Sequence, residues 1–496
     1  MHIVHLTTEL APIAKVGGLG DVTSGLSKAL TEAGENTEVI LPFYDHLDRS
    51  KLESLKVEME ELLSYEESSP YPNKVYSATF HGISLILIEP DEPANYFKRG
   101  VIYGEEDDLF RFSYFTRVAM EYLLKSGKHP DVLNVHDWLS CLAAPLYHEV
   151  YKSLGLKIGG IVTTIHNMKY QGICSPDKLA RIGLHMDHLL TQDKMQDHSE
   201  PNKLNMLKGG LTYADYITTV SPTYAKEIQG KEGFGLESVL VKRKEKLVGI
   251  LNGIDTSYWN PETDPFLAKN YAPHDDLSSI EKAKIENRKA LYHKLKLDYD
   301  PAMLFTCISR LAKQKGPEMI CFAIEYVLSK GGQFVLLGST PEPELKKEFY
   351  SLAESYADNP HVHFHFLFDE ELAHLTYAAA DCILIPSLFE PCGLTQMIAL
   401  RYGTIPIVHK VGGLSDTVFD IDHEEIPEER RNGYTFDFPS NDSLRWSIDR
   451  AFENHRNHRE KWHLMQKNGF QKDWSWKNPA EEYLTLYRKL NSSKPA

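Results

Sequence analysis

Two glycine loops, each led by a lysine, are where chemistry first becomes legible in this sequence. Lys15-Val16-Gly17-Gly18-Leu19-Gly20-Asp21 follows the apolar run 2–6, and Lys410-Val411-Gly412-Gly413-Leu414-Ser415-Asp416 follows the run 403–409. Glycine permits positive φ and close backbone approach, and a helix starting there offers unpaired N–H groups and a partial positive charge. Lys15 adds a full charge. The set suits an oxygen-rich, phosphorylated ligand; a tight strand-to-helix turn with a solvated lysine fits the same residues. Neither loop is a G-x-G-x-x-G or a Walker sequence. In the second, Gly412 and Gly413 are expected to bring amides and a helix start to a ligand's phosphates.

Other candidates also sit at the ends of apolar runs. Arg310 and Lys315 in "ISRLAKQKG" are a fork and a point charge suited to a diphosphate. Glu390 in "PSLFEPCGLTQ" places a carboxylate on a rigid turn, fit to accept hydrogen bonds from sugar hydroxyls. The amides of Gly393, Leu394 and Thr395 open the next helix and can bind an anion. Cys392 reads as a packing residue, since no activating base is near it in sequence. "NVHDWLS" and "TTIHNMKYQG" supply His136, Asp137, His166 and Asn167 at two further strand ends. His361, His363 and His365 share one strand face without a carboxylate or cysteine in a closing loop, so they read as a half-exposed face rather than a metal site.

The elements that must carry these residues are short Val/Ile/Leu runs between longer amphipathic stretches. "HIVHL", "TEVILP", "ISLILIE", "DVLNVHD", "GGIVTTIHN", "YITTVS" and "KLVGILNG" read as buried strands, and 111–127 as a helix. The pattern restarts with "AMLFTCISR", "QFVLLGS", "VHFHFLF", "DCILIPS", "GTIPIVHK" and "GYTFD". Alternation of this kind predicts an α/β fold of two doubly wound, mostly parallel sheets. The expected domains are 1–255 and 256–469, with 256–300 as a linker and helix. The amphipathic tail 470–496 is expected to pack back on the first domain. Two such halves imply a cleft, with ligands at the carboxyl ends of the strands.

Composition removes other classes. The 496 residues carry a formal net charge of −16, which argues against phosphate-mediated binding of nucleic acid. Six cysteines without C-x-x-C spacing suit a reducing compartment and no structural zinc. The N-terminus lacks a basic leader with a long apolar stretch, and no run of about 18 apolar residues marks a membrane span. A cytoplasmic protein is expected; oligomeric state is not legible.

Assembled in order, "LTTELAPIAKVGGLGDV", "VHDW", "TIHNMKYQG", "ADYITTVSPTYAKEI", "LNGIDTSYWNPETD", "SRLAKQKG", "PSLFEPCGLTQ" and "VGGLSDTV" resemble the bacterial glycogen synthases and plant starch synthases almost end to end. The resemblance implies a GT-B fold, two Rossmann-like domains facing a deep cleft. The implied reaction moves glucose from ADP-glucose or UDP-glucose to the non-reducing end of an α-1,4-glucan, with retention and without cofactor or metal. By motif position, Lys15, Gly17, Gly18 and Asp21 are implied at the donor, and Arg310 and Lys315 at its diphosphate. Glu390, with Cys392 and Gly393 in its turn, is implied at the sugar hydroxyls. Asp137, His166 and Asn167 are implied on the acceptor and glucose side, Asn252 near the joint, and Tyr96 near the donor.

Three departures accompany the resemblance. Leu388 stands where many relatives have Arg. Ile398 stands where many other retaining transferases of this fold carry a second Glu. Phe368 appears where Tyr is common near the adenine, which keeps stacking and removes a hydroxyl.

Overall fold

Strand formation follows the apolar runs, because a parallel sheet covered on both faces needs near-continuous Val, Ile and Leu. The computed structural model describes residues 1–492 except 68, 182, 183, 185, 186, 341 and 368. The chain divides into two units, Met1–Gly253 with Trp476–Ala496, and Ile254–Ser475.

The sheet of the first unit contains β1 (His2–Leu6), β2 (Asn36–Pro42), β3 (Glu53–Glu66), β4 (Ser69–Phe80), β5 (Ile83–Pro90), β6 (Val132–His136), β7 (Ile161–Ile165), β8 (Tyr216–Thr219) and β9 (Leu247–Gly249). Their order is β9-β8-β7-β6-β1-β2-β5-β4-β3. All neighbours run parallel except β3–β4 and β4–β5. Each run from 2 to 253 expected to be a strand forms one. The hairpin β3–β4 was not legible in the same way: its first strand, "ESLKVEMEELLSYE", mixes glutamates with leucines and lacks a β-branched run. The helix expected over 111–127 spans Asp108–Lys125.

The C-terminal helix Lys477–Ser492 belongs to this unit. Its buried Ala480, Tyr483, Leu484, Tyr487 and Leu490 pack with Ile3, Val132 and the Val22, Leu26 and Leu30 face of the helix Gly18–Glu32. The close approach needs Gly25, where a Cβ would lie 1.9 Å from Trp476 Nε1.

The sheet of the second unit contains β10 (Leu304–Ile308), β11 (Gln333–Leu337), β12 (Val362–His365), β13 (Cys382–Ile385), β14 (Ile405–His409) and β15 (Tyr434–Phe436). It is parallel throughout in the order β12-β11-β10-β13-β14-β15. On one face Phe305, Phe334, Leu336 and Ile407 pack with Ile320, Val327 and Ile448; on the other Leu304, Val335 and Leu337 pack with Leu291, Leu372 and Leu375. The segment before its first helix is tied down by Asp264. That buried carboxylate accepts from Tyr402 Oη at 2.5 Å and pairs with His374 Nδ1 at 2.7 Å, while Trp259 stacks on His374.

Candidate active site

In a doubly wound sheet, strand order reverses at one point, and the loops leaving the carboxyl ends there diverge to form a crevice. In the first unit that point lies between β1 and β6; in the second it lies between β10 and β13. The Lys15 loop leaves β1 and Asp137 leaves β6, while Arg310 and Lys315 leave β10 and Glu390 leaves β13. Both units therefore present their candidate side chains where each sheet alone would place a ligand.

The Lys15 loop is held from beneath by a residue that motif reading missed. Glu9 Oε2 accepts from the amides of Val16 at 2.7 Å and Gly17 at 2.9 Å, and Glu9 Oε1 accepts from Tyr103 Oη at 2.8 Å. Burial raises the Glu9 pKa despite these three donors. Lys15 Nζ lies 2.7 Å from Asp21 Oδ1 in a partly exposed pair. The lysine and the aspartate six places later, both donor-side candidates, thus neutralise one another. The positive φ expected at Gly17 and Gly18 is absent: Gly17 is extended, with φ −148° and ψ −163°, and neither residue enters the left-handed region. A Cβ at either would meet nothing within 4 Å, so the space above them is open.

Asp137 sits in the left-handed region at φ +53°, a conformation costly for a non-glycine residue and concentrated at functional sites. Its Oδ1 accepts from the amides of His166 at 2.7 Å and Asn167 at 3.4 Å, drawing the ends of β6 and β7 together. Loss of hydration outweighs these donors and pushes its pKa up to about 7. His166 contacts His136, whose other nitrogen contacts His5; burial pushes His5 and His166 down to about 3, so both imidazoles are neutral.

In the second unit the diphosphate candidate and the sugar candidate meet directly. Lys315 Nζ and Glu390 Oε2 form an ion pair, and Ser387 Oγ donates to the same carboxylate oxygen at 2.9 Å. Glu390 is 6% exposed. The loops are brought together by Gly316, whose φ of +68° and close approach to the Pro386 carbonyl exclude a side chain. Backbone bonds reinforce this: Leu388 N donates to Gln314 O at 2.8 Å, and Gln314 Nε2 donates to Phe389 O at 3.0 Å. Arg310 is exposed and has no side-chain partner among the described residues. Gly393 takes the left-handed conformation, φ +75°, that the turn before the helix Thr395–Arg401 requires, with Leu394 as the cap; Cys392 is buried.

Several expectations are corrected. Gly413 does not offer its amide to a ligand: that N–H donates to Glu390 O at 3.1 Å, and a Cβ there would lie 2.1 Å from Cys392 O. It is the seam between its loop and the Glu390 turn, while Gly412 takes φ +45° at the start of the helix Gly412–Thr417. Tyr96, expected near the donor, is a core residue, 1% exposed, packed among Phe97, Phe110 and Tyr114. Asn252 is buried with its Oδ1 unpartnered among the described residues. Phe368 lies outside the described residues. Glu9 and Asn134 stand inside quoted motifs without having been singled out, and His5, within β1, and Tyr103, in the loop before the helix Asp108–Lys125, had no motif signal.

Among the described residues no group of three or more His, Cys, Asp or Glu could hold a metal ion, and no helix is long and apolar enough to cross a membrane.

Comparison with known proteins places these features in a family. A starch synthase catalytic domain model matches residues 2–242, and a group 1 glycosyl transferase model matches 292–470. A glycogen synthase of Protochlamydia amoebophila is 44% identical over 99% of this chain and 100% of its own length. A probable starch synthase 4 of Arabidopsis thaliana is 44% identical over 98% of this chain, which spans 47% of that relative. The solved catalytic domain of starch synthase IV from the same plant, bound to ADP and acarbose, superposes with a TM-score of 0.94, covering 99% of both chains. A sucrose-phosphate synthase of Thermosynechococcus elongatus, 19% identical with a TM-score of 0.60 over 99% of both chains, shares the fold. This chain belongs to the glycogen and starch synthase family of glycosyltransferases, with the two Rossmann-like domains of a GT-B fold.

Proposed function

We propose that this protein is a glycogen synthase: it transfers glucose from ADP-glucose, with UDP-glucose as the competing donor, to the non-reducing end of an α-1,4-glucan, retaining the anomeric configuration. The observation that carries the reading is the Lys315–Glu390 pair with exposed Arg310 at the switch point of the second sheet. The ADP and acarbose bound by the starch synthase IV relative support a nucleotide donor and a glucan-like acceptor.

Cleavage of a glycosyl phosphate leaves positive charge on the sugar and negative charge on the departing diphosphate. The largest available help is charge and dipoles already in place at the phosphates. Arg310 supplies a fork and Lys315 a point charge to that diphosphate. Lys15 exchanges its Asp21 partner for the donor as Gly17 and Gly18 allow close approach. Glu390 holds sugar hydroxyls, and the turn of Gly393, Leu394 and Thr395 supplies amides. Asp137, His166, Asn167 and Asn252 act on the acceptor and glucose side. Retaining hydrolases use two carboxylates about 5 Å apart; Glu390 is instead occupied by Lys315. The reading is same-face attack, in which the glucan 4-hydroxyl bonds to the anomeric carbon and gives its proton to the leaving phosphate oxygen. No cofactor is used, residues 1–255 serve the acceptor side, residues 256–469 serve the nucleotide, and the compartment is the cytoplasm.

The test is incorporation of labelled glucose into a glucan primer from each donor separately. Incorporation from ADP-glucose above UDP-glucose is expected. Incorporation from neither overturns the function, and preference for UDP-glucose overturns the donor assignment.

A further inference from the structure

A line of three imidazoles runs inward from the candidate site. His166 Nε2 lies 3.0 Å from His136 Nδ1, and His136 Nε2 lies 3.0 Å from His5 Nδ1. Ring centroids are 5.2 and 5.3 Å apart along the line. His5 and His136 are fully buried, and burial lowers the pKa of all three rings, so each is neutral. A neutral imidazole has one N–H and one lone pair, so the ring that donates at one nitrogen must accept at the other. Fixing a proton anywhere on the line fixes it at every step.

Two independent features fix it in the same sense. Asn134 Nδ2 lies 3.0 Å from His136 Nε2 and donates to it, while the Asn134 amide also meets the Thr164 hydroxyl, itself 2.7 Å from Thr218 Oγ1. At the inner end, His5 Nε2 is buried with no hydrogen-bond partner among the described residues. A buried N–H without a partner is rarer than a buried acceptor without one, so the proton of His5 belongs on Nδ1. Both features leave His136 Nε2 accepting, with its one lone pair shared between Asn134 Nδ2–H and His5 Nδ1–H. Its proton therefore sits on Nδ1 and is given to His166 Nε2, which leaves the proton of His166 on Nδ1.

We propose that His5, Asn134 and His136 are positioning residues that lock His166 in its Nδ1–H form, as a fixed hydrogen-bond donor to an oxygen of the transferred sugar. The inference rests on the glucosyl-transfer reading for the identity of that oxygen; the tautomer itself does not. The line is a brace rather than a proton wire, because it ends on His5 Nε2, which has no hydrogen-bond partner among the described residues. It keeps the donor from rotating or switching tautomer while charge develops on the sugar.

Long-range proton–nitrogen correlation on the full chain with 15N-labelled histidine tests this, His166 being identified by the signal lost in His166→Asn. The Nδ1–H pattern is expected at His166; an Nε2–H pattern or a doubly protonated ring overturns the proposal. Asn134→Asp replaces the donating amide with an accepting carboxylate. It is expected to move the His136 proton to Nε2 and the His166 proton to Nε2, and to lower kcat by roughly tenfold or more with little change in KM for primer. An unchanged His166 tautomer in that variant, or a reversed tautomer with unchanged kcat, overturns it. If Asn134→Asp does not fold, the wild-type spectrum still decides. A wild type that transfers no glucose from either donor defeats the glucosyl-transfer reading and leaves the spectrum unaffected.

Discussion

Lys315 and Glu390, 75 residues apart in sequence, are ion-paired at the carboxyl ends of neighbouring strands β10 and β13. The carboxylate is buried and the ammonium is only partly exposed, so water screens the pair poorly. Removing one member leaves the other uncompensated in a poorly hydrated place, which costs far more than the pair contributes.

Glu390→Gln and Lys315→Gln are each expected to lower kcat/KM for glucosyl transfer by roughly 10²-fold or more. The double variant is expected to lose less than the product of the two, because the residues share one interaction. Steady-state kinetics on the four proteins checks this; strictly multiplicative losses count against a coupled pair.

The Asp137 carboxyl makes stability depend on pH in a defined direction. Its folded pKa of about 7 lies above the ordinary value of 3.8, so between these limits the folded protein holds a proton that the unfolded chain releases. That contribution is complete below the unfolded value and is lost as pH rises through about 7. Each pH unit within the window changes this term by about 1.4 kcal/mol. Asp137→Asn is therefore expected to raise the thermal midpoint relative to wild type at pH 8 more than at pH 5. Thermal unfolding at both values checks it; an equal shift refutes the assignment.

Histidines 5 and 166 act in the opposite sense. Their folded values of about 3 lie below the ordinary 6.5, so the unfolded chain binds protons that the folded protein refuses. Their contribution is complete above the unfolded value and falls away on acidification towards 3. His5→Gln is expected to flatten the acid limb of a denaturant-midpoint profile measured from pH 7 to 4.

Glu9 fastens the loop of Lys15 through two amides and a tyrosine hydroxyl. Glu9→Ala removes the acceptor of three partly buried donors and is expected to cost about 1–3 kcal/mol, while Tyr103→Phe costs about 0.5–1.5 kcal/mol. Both are expected to raise KM for the donor, Glu9→Ala more. Denaturant unfolding and donor titration measure the two effects separately.

These residues show where sequence reading succeeds and where it stops. The parallel strands of both sheets were legible because burial on two faces leaves little but Val, Ile and Leu in each run, whereas the antiparallel hairpin β3–β4 was not. The candidate side chains were legible because polar residues directly after such runs stand at carboxyl ends. Partnership was not: nothing local in "KQKG" or "FEPCG" says that Lys315 meets Glu390, since the contact depends on strand order. Glu9 was hidden for a related reason, being a carboxylate whose partners lie in its own loop and in Tyr103. Gly413 misled, because a glycine needed for close backbone packing looks in sequence like one that cradles a phosphate. The burial of Tyr96 was not legible either, since a motif position does not report packing.

Leu484→Ala in the C-terminal helix removes a side chain 2% exposed from the cluster around Ile3 and Val22. The expected loss is about 2–5 kcal/mol. Hydrogen exchange is expected to show it first in the Gly18–Glu32 helix, with β10–β15 unaffected.

The same helix sets an order of events during synthesis. The second unit is a single uninterrupted stretch, whereas the first is split, with its last element made after the whole of the second. A ribosome that has delivered residues 1–475 has supplied every part of the second unit. The first unit still shows water the apolar stripe of Val22, Leu26 and Leu30. Nascent chains halted there should bind holdase chaperones through that stripe, and release should coincide with the arrival of Tyr483, Leu484 and Tyr487.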